Sequence, residues 1–225
     1  MLTIVVLLLV SLTVKAQDCK AYMPIEAGTT MQLTHYDKKG KITGVSSQEL
    51  VAVDKKGSNT TFVVNQKFED AKEKQVVETE LSYRCEDGVF YIDMDGYLDS
   101  EQMKAYQDMD IKVTVDEMDI PASFKVGQQL KDGAINMEVT GAPMPFKMTV
   151  NVVNRKVEAE EDLSTPAGTF SCIKISQDII TKSVVKVTVS SVEWYAEGVG
   201  LIRSETFRKG KLMGYSELTA LQKPE

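Results

Sequence analysis

The sequence predicts an all-β fold, mostly antiparallel, built as a strongly curved sheet or open β-barrel with one short helix. Three observations carry this. Apolar side chains recur with a period of two. Phe146, Met148, Val150 and Val152 alternate with Lys147, Thr149 and Asn151, and Val185, Val187 and Val189 with Lys186, Thr188 and Ser190. Such one-sided alternation marks antiparallel strands with one wet face. Glycine-closed polar turns separate the runs: Asp37-Lys38-Lys39-Gly40, Asp54-Lys55-Lys56-Gly57 and Arg208-Lys209-Gly210. The glycine supplies the positive φ that a type I turn with a G1 bulge needs. Both long runs also change phase by one residue, at Val152-Val153 and Ser190-Ser191. A phase change of one residue is what a β-bulge leaves in sequence, and bulges bend a sheet.

Taken in order, the chain opens on an apolar run, Ile4 to Val10. It is shorter than the roughly 20 residues a membrane-spanning helix needs and fits a signal-peptide core. Val14-Lys15-Ala16 offers a cleavage site after Ala16, although no Lys or Arg precedes the run. An uncleaved anchor is the rival reading. Ala16-Gln17-Asp18 before Cys19 is not a lipobox, which needs a small residue directly before the cysteine. The expectation is a signal peptide over 1–16 and a single β domain over 17–225, periplasmic or secreted in a bacterial cell envelope. No later segment is long and apolar enough to span a membrane.

Strands are expected over 29–36, 42–54, 59–70, 74–85 and 88–94. Seven more follow over 110–116, 134–140, 145–161, 169–181, 184–195, 199–208 and 211–221. A helix is expected from Ser100 to Gln107, capped by Asp99 or Ser100, with Met103 and Tyr106 on one face. No linker composition accompanies it, so one domain is read across the whole mature chain.

Charge and composition exclude several functions. With Lys15 removed, 25 basic and 33 acidic residues remain. A mildly acidic surface argues against nucleic acid and anionic lipid surfaces as partners. One histidine, His35, makes zinc and triad chemistry hard to assemble. No G-x-S-x-G nucleophile motif occurs, so no catalytic residue and no cofactor is assigned.

Three cysteines occur: Cys19, Cys85 and Cys172. In an oxidising compartment two pair and one is left over. Cys85 shares the apolar face of its run with Val77, Leu81 and Tyr83, and Cys19 would staple the mature N-terminus. A Cys19–Cys85 disulfide is therefore expected, with Cys172 a small core residue.

The remaining candidates are modest. Asp93, Asp95, Asp99 and Glu101 surround Gly96 and offer four carboxylates to calcium, but the glycine comes one step too early for an EF-hand loop. The plainer reading is a solvated turn with acids at a helix start. Met137, Met144 and Met148 offer thioethers to Cu(I), and equally fill an irregular core. Trp194 and Tyr195 point to opposite faces, one to the core and one to a surface or rim.

Several stretches together resemble the TapB-like secreted proteins of Bacteroidetes. They are Asp18-Cys19 with Pro24 and Gly28, Tyr36-Asp37-Lys38-Lys39-Gly40-Lys41, Cys85 to Met94 (CEDGVFYIDM), Thr165 to Cys172 (TPAGTFSC) and Trp194 to Gly200 (WYAEGVG). The resemblance implies an exported all-β envelope protein and brings no catalytic residues. A curved sheet suggests binding: a lipid, another apolar ligand or an envelope protein segment on its concave side. Phe146, Met148, Val150, Val185, Val187, Val189 and Trp194 are the expected lining. The alternatives are a scaffold protein without a small ligand, and a hydrolase.

Overall fold

The computed structural model describes residues 20–72, 76–92, 94, 110–140 and 146–224. Over these the chain forms strands β1 (Thr30–Asp37), β2 (Ile42–Lys56), β3 (Asn59–Asp70), β4 (Val76–Glu86), β5 (Val89–Ile92), β6 (Asp110–Asp116) and β7 (Met118–Ile120). Then come β8 (Gly133–Thr140), β9 (Phe146–Thr165), β10 (Gly168–Lys182), β11 (Lys186–Ala196), β12 (Gly200–Arg208) and β13 (Lys211–Gln222). Among the described residues there is no helix. The helix expected over 100–107, the segment 1–16 and Cys19 lie outside the described residues. No helix among them is long and apolar enough to cross a membrane.

All strands join one antiparallel sheet, in the order β6-β8-β9-β10-β11-β12-β13-β1-β2-β3-β4-β5-β7. The two edge strands are consecutive in the chain, with only Glu117 between them. The sheet therefore curls into a nearly closed barrel with one unsealed seam. The chain changes partner at Glu117, pairing with β8 before it and with β5 after it. Arg84 of β4 holds this corner with a two-pronged ion pair to the Glu117 carboxylate and packs over the Tyr91 ring at 4.3 Å.

Bulges supply the curvature, but not always where the apolar phase changes. Near Val152-Val153 the expectation holds. The β9–β10 register shifts between Ser176 and Asp178, and Asn154 adopts φ 57° in the left-handed region that Asn tolerates. At Ser190-Ser191 it does not. The β10–β11 register runs unbroken from Ile173↔Tyr195 to Lys182↔Lys186, and the β11–β12 shift falls at Trp194/Tyr195. Apolar residues change face there because the inner face turns polar at Ser191 and Glu193. The turns also differ in type. Gly40 closes an Asp37–Gly40 turn as expected, with its N–H donating to Asp37 O. Lys209 and Gly210 both have positive φ (51° and 72°), which a two-residue I′ turn requires.

One apolar cluster draws Leu50, Phe62, Val64, Cys85, Phe90 and Ile120 from β2–β7 together with Val157, Ile173 and Ile175 from β9 and β10. Because it joins both halves of the strand order, it fills the inside of the barrel. Ala21, Tyr22 and Met23 plug its open end. A second cluster contains Met94, Met118, Ile135, Met137, Val139, Met148, Val150 and Val152. Gly133 has no side chain because Met118 needs the space: a Cβ there would stand 2.2 Å from Met118 Cγ. Each large side chain so buried stabilises by roughly 1.5–3 kcal/mol.

Between the two clusters the inside of β9–β11 is polar. Arg155 is 1 % exposed. Its Nη1 donates to Asp119 O (3.0 Å) and Lys131 O (2.6 Å), and its Nε to Gln177 Oε1 (3.3 Å). Glu193 accepts from Tyr195 Oη (2.7 Å) and Ser191 Oγ (3.3 Å). Burial raises the Glu193 carboxyl above the ordinary carboxylate range, against those hydrogen bonds and the Arg155 charge.

Candidate functional site

A groove of about 780 Å3 crosses five adjacent strands, β13, β1, β2, β3 and β4. Its walls follow from register. One row runs Gln222, Thr30, Glu49, Asn65, Glu80, each residue directly opposite the next. The parallel row runs Ala220, Gln32, Ser47, Lys67, Glu78. The row between them, Met31, Gln48, Gln66 and Thr79, belongs to the opposite face, the one that also carries Leu50 and Val64. The two rows place most of the groove's wall on the outer side of the barrel, and the row between them runs along its floor. Gln48 Nε2 donates to Gln66 Oε1 at 2.6 Å and locks the strands beneath it.

The chemistry of the rows is amide, hydroxyl and carboxylate, with one ammonium and, at Ala220, one methyl group. Lys67 is paired with Glu69 at 2.9 Å, and the Glu69 hydrogen bond raises its pKa. Three carboxylates, on Glu49, Glu78 and Glu80, face that one cation. Such a surface disfavours phosphate and suits neutral hydroxyl-bearing ligands, because carboxylates accept from hydroxyls and amides both accept from and donate to them. Neighbouring strands lie about 4.8 Å apart, so hydrogen-bonding groups repeat at that spacing over roughly 19 Å.

The residues expected to line an apolar site divide between two buried clusters and the surface. Met148 and Val150 are buried in the second cluster, with Phe146 packed against it. Val187 and Val189 are half-buried beside Thr181 and Ile179, and Val185 is 65 % exposed. Trp194 lies on the opposite face from Val189, within a cluster formed with Met31, Leu33, Cys172, Ala196, Ile202 and Leu218. Its Nε1 donates to Glu161 Oε1 at 2.7 Å, and Lys174 Nζ stands 4.8 Å from its ring centre. None of the seven lines the groove.

The calcium candidates Asp93, Asp95, Asp99 and Glu101, and Met144, lie outside the described residues. Met137 and Met148 face each other across β8 and β9 in the core. Among the described residues no three His, Cys, Asp or Glu side chains are placed to hold a metal ion. His35 Nε2 meets Ser46 Oγ at 2.7 Å and its ring packs edge-on to Phe68, with centres 5.6 Å apart. Cys172 is free and buried, and burial with the nearby Asp162 and Glu161 charges pushes its thiol up to about 11.

A family profile described as DUF3108-like matches residues 26–218, from the end of the N-terminal plug into β13. The chain belongs to the DUF3108-like family. Two solved structures share its fold. One is a candidate exported protein with a YmcC-like fold from Bacteroides fragilis. It is 25% identical, with a TM-score of 0.74, and the match covers 91% of this chain and 100% of that one. The other is a candidate lipoprotein from Parabacteroides distasonis. It is 24% identical, with a TM-score of 0.74, over 92% of this chain and 100% of that one. No curated protein matches the chain.

Proposed function

We propose that the chain is an exported cell-envelope binding protein that holds an extended, hydroxyl-rich chain, such as an oligosaccharide segment, in the groove across β13, β1, β2, β3 and β4. The carrying observation is the pair of five-residue rows, in which every residue but Ala220 presents a hydrogen-bonding side chain at regular spacing in a concavity within the size range of ligand sites. Export is supported by the apolar run Ile4–Val10 and by the description of the Bacteroides fragilis relative as a candidate exported protein. The TapB-like resemblance of Cys85–Met94 and Thr165–Cys172 belongs to the same reading. So does a disulfide between Cys85 and Cys19.

The test is amide chemical-shift mapping with neutral linear hexasaccharides, maltohexaose and cellohexaose, on the mature protein. Perturbations are expected along the two rows, and Asn65→Ala with Gln32→Ala is expected to weaken binding about tenfold, the loss of one or two hydrogen bonds. Product analysis is expected to return the sugar intact, since this is binding without turnover. Unmoved groove amides, combined with added lipid mass on protein purified from its envelope, would overturn the proposal in favour of an apolar ligand.

A further inference from the structure

We propose that the plugged end of the barrel carries a second binding site, independent of the groove, for an organic cation: an alkylammonium or guanidinium head. A cavity of about 400 Å3 opens there beside the N-terminal segment. Its wall includes a register row from three strands, Glu160 opposite Ile173 and Ile173 opposite Tyr195. Tyr22 and Phe124 add two more rings, and Glu197 and Lys20 stand at the rim. The segment carrying Tyr22 is fixed in place: Gly198 N–H donates to Ala21 O at 2.8 Å, and Tyr22 packs edge-on to Phe90, with centres 6.3 Å apart.

Two independent features select the same ligand class. The first is charge. Glu160 and Glu197 face a single cation, Lys20, whose Nζ stands 3.8 Å from Glu197 Oε2, longer than a direct charge-assisted hydrogen bond. The resulting negative field is felt inside the cavity, where Glu197 and Glu160 add to burial in raising the Tyr22 phenol. The second is the ring set Tyr22, Phe124 and Tyr195. Aromatic faces attract ammonium and guanidinium groups, most strongly where water is reduced. Tyr195 is held by its hydroxyl on Glu193, so its ring forms a fixed wall. An anion would meet two carboxylates here, and a neutral apolar group would leave them unused.

The experiment is a chemical-shift titration of the mature protein with N-acetyl-lysine amide, N-acetyl-arginine amide and 1,4-diaminobutane, with N-acetyl-norleucine amide as the uncharged match. The cations are expected to bind about tenfold more tightly than norleucine, which corresponds to about 1.4 kcal/mol. Perturbations are expected at Tyr22, Phe124 and Tyr195, with affinity falling as salt rises. Diamine binding alone identifies a small free amine. Binding of the amino-acid amides alone identifies a basic side chain on a partner segment. Glu160→Gln with Glu197→Gln is expected to abolish the preference while the thermal melt stays unchanged. Should that pair disturb folding, Glu160→Gln alone is expected to reduce the preference several-fold. Equal binding of norleucine and the cations, or an unchanged preference in a folded double variant, overturns the proposal.

Discussion

Arg155 Nη1 lies 3.0 Å from Asp119 O, so a side chain of β9 closes hydrogen bonding across the seam that the backbone leaves open. Asp119 belongs to β7, which pairs with β5 on one side only. On its other side stands the loop before β8, tied to β9 by Leu130 N–H on Arg155 O (2.8 Å) and by the Gln129↔Lys156 bridge. The same guanidinium reaches Lys131 O in that loop. A buried charge here is offset by two carbonyl oxygens that otherwise have no strand to meet. Arg155→Met removes these donors and leaves both carbonyls and the buried Gln177 Oε1 without them, so it is expected to cost about 3 kcal/mol. Urea unfolding measures this, and a variant within about 0.5 kcal/mol of wild type would show that the seam is held elsewhere.

Glu117 marks the corner on the outside of the same seam. Arg84 holds its carboxyl below the usual carboxylate range, with Lys131 adding to the effect. Both partners are about one-third exposed, so solvent screening limits the pair to about 1 kcal/mol. A depressed folded pKa means this stability is present above the ordinary value of 4.5 and is lost as pH falls through the folded one. Glu117→Gln is therefore expected to be less stable than wild type at pH 7 and equal to it near pH 2, by thermal melts across that range.

The long strands were legible because burial and alternation agree in them. The expected run over 110–116 matches β6 end for end, and that over 59–70 matches β3. β7 escaped because three residues, Met118, Asp119 and Ile120, are too few to show a period. Arg155 escaped for a different reason. Read along β9, it looks like one more polar residue beside a phase change, and only closure of the barrel turns that position inward. The groove was hidden in the same way. Thr30, Gln32, Ser47, Glu49, Asn65, Lys67, Glu78 and Glu80 have the composition of any wet strand face. Register shifts flank them at Gln32/Leu33, His35/Tyr36 and Leu50/Ala52, and the rows align only once that register is fixed. The apolar candidates fall in different clusters because residues that fill a closed barrel and residues that line an open one have the same alternation. Trp194 shows the limit most clearly, since the polar interior at Ser191 and Glu193 shifts apolar residues to the other face while the β10–β11 register runs on unbroken.

His35 gives the protein a pH response in the neutral range. Burial lowers its pKa from 6.5, and its ring sits between Ser46 and Phe68. The folded state then holds fewer protons than the unfolded state just below pH 6.5, so stability is full above that value and falls as pH drops toward the folded pKa. His35→Gln removes the titrating group. Its unfolding free energy is expected to be flatter than wild type between pH 7 and the onset of carboxylate titration. A wild-type profile that is already flat over that interval would contradict the buried, neutral ring.

The barrel isolates one of the three thiols. Cys172 is free, donates to Phe170 O at 3.4 Å, and has a thiol raised to about 11, so little thiolate is available for exchange. Cys85 is fully buried in the interior cluster, and the same cluster contains Ala21, Tyr22 and Met23. Cys19 lies two residues before Ala21 in the sequence, a reach of about 7 Å at most, and Ala21 shares the interior cluster with Cys85. A bond between them closes a loop of about 66 residues, worth roughly 4 kcal/mol in the chain-entropy account. It would also fix the wall that carries Tyr22. Non-reducing peptide mapping of the exported protein is expected to recover the Cys19 and Cys85 peptides joined, with Cys172 alkylated only after unfolding. Reduction, or Cys19→Ser, is expected to lower the melting temperature and release the plug, seen as faster amide exchange at Ala21 to Met23. A Cys85–Cys172 peptide, or alkylation of Cys85 in the native protein, would refute the pairing. In that case the plug would be held without a covalent bond, by the packing of Ala21, Tyr22 and Met23 and the Gly198 hydrogen bond.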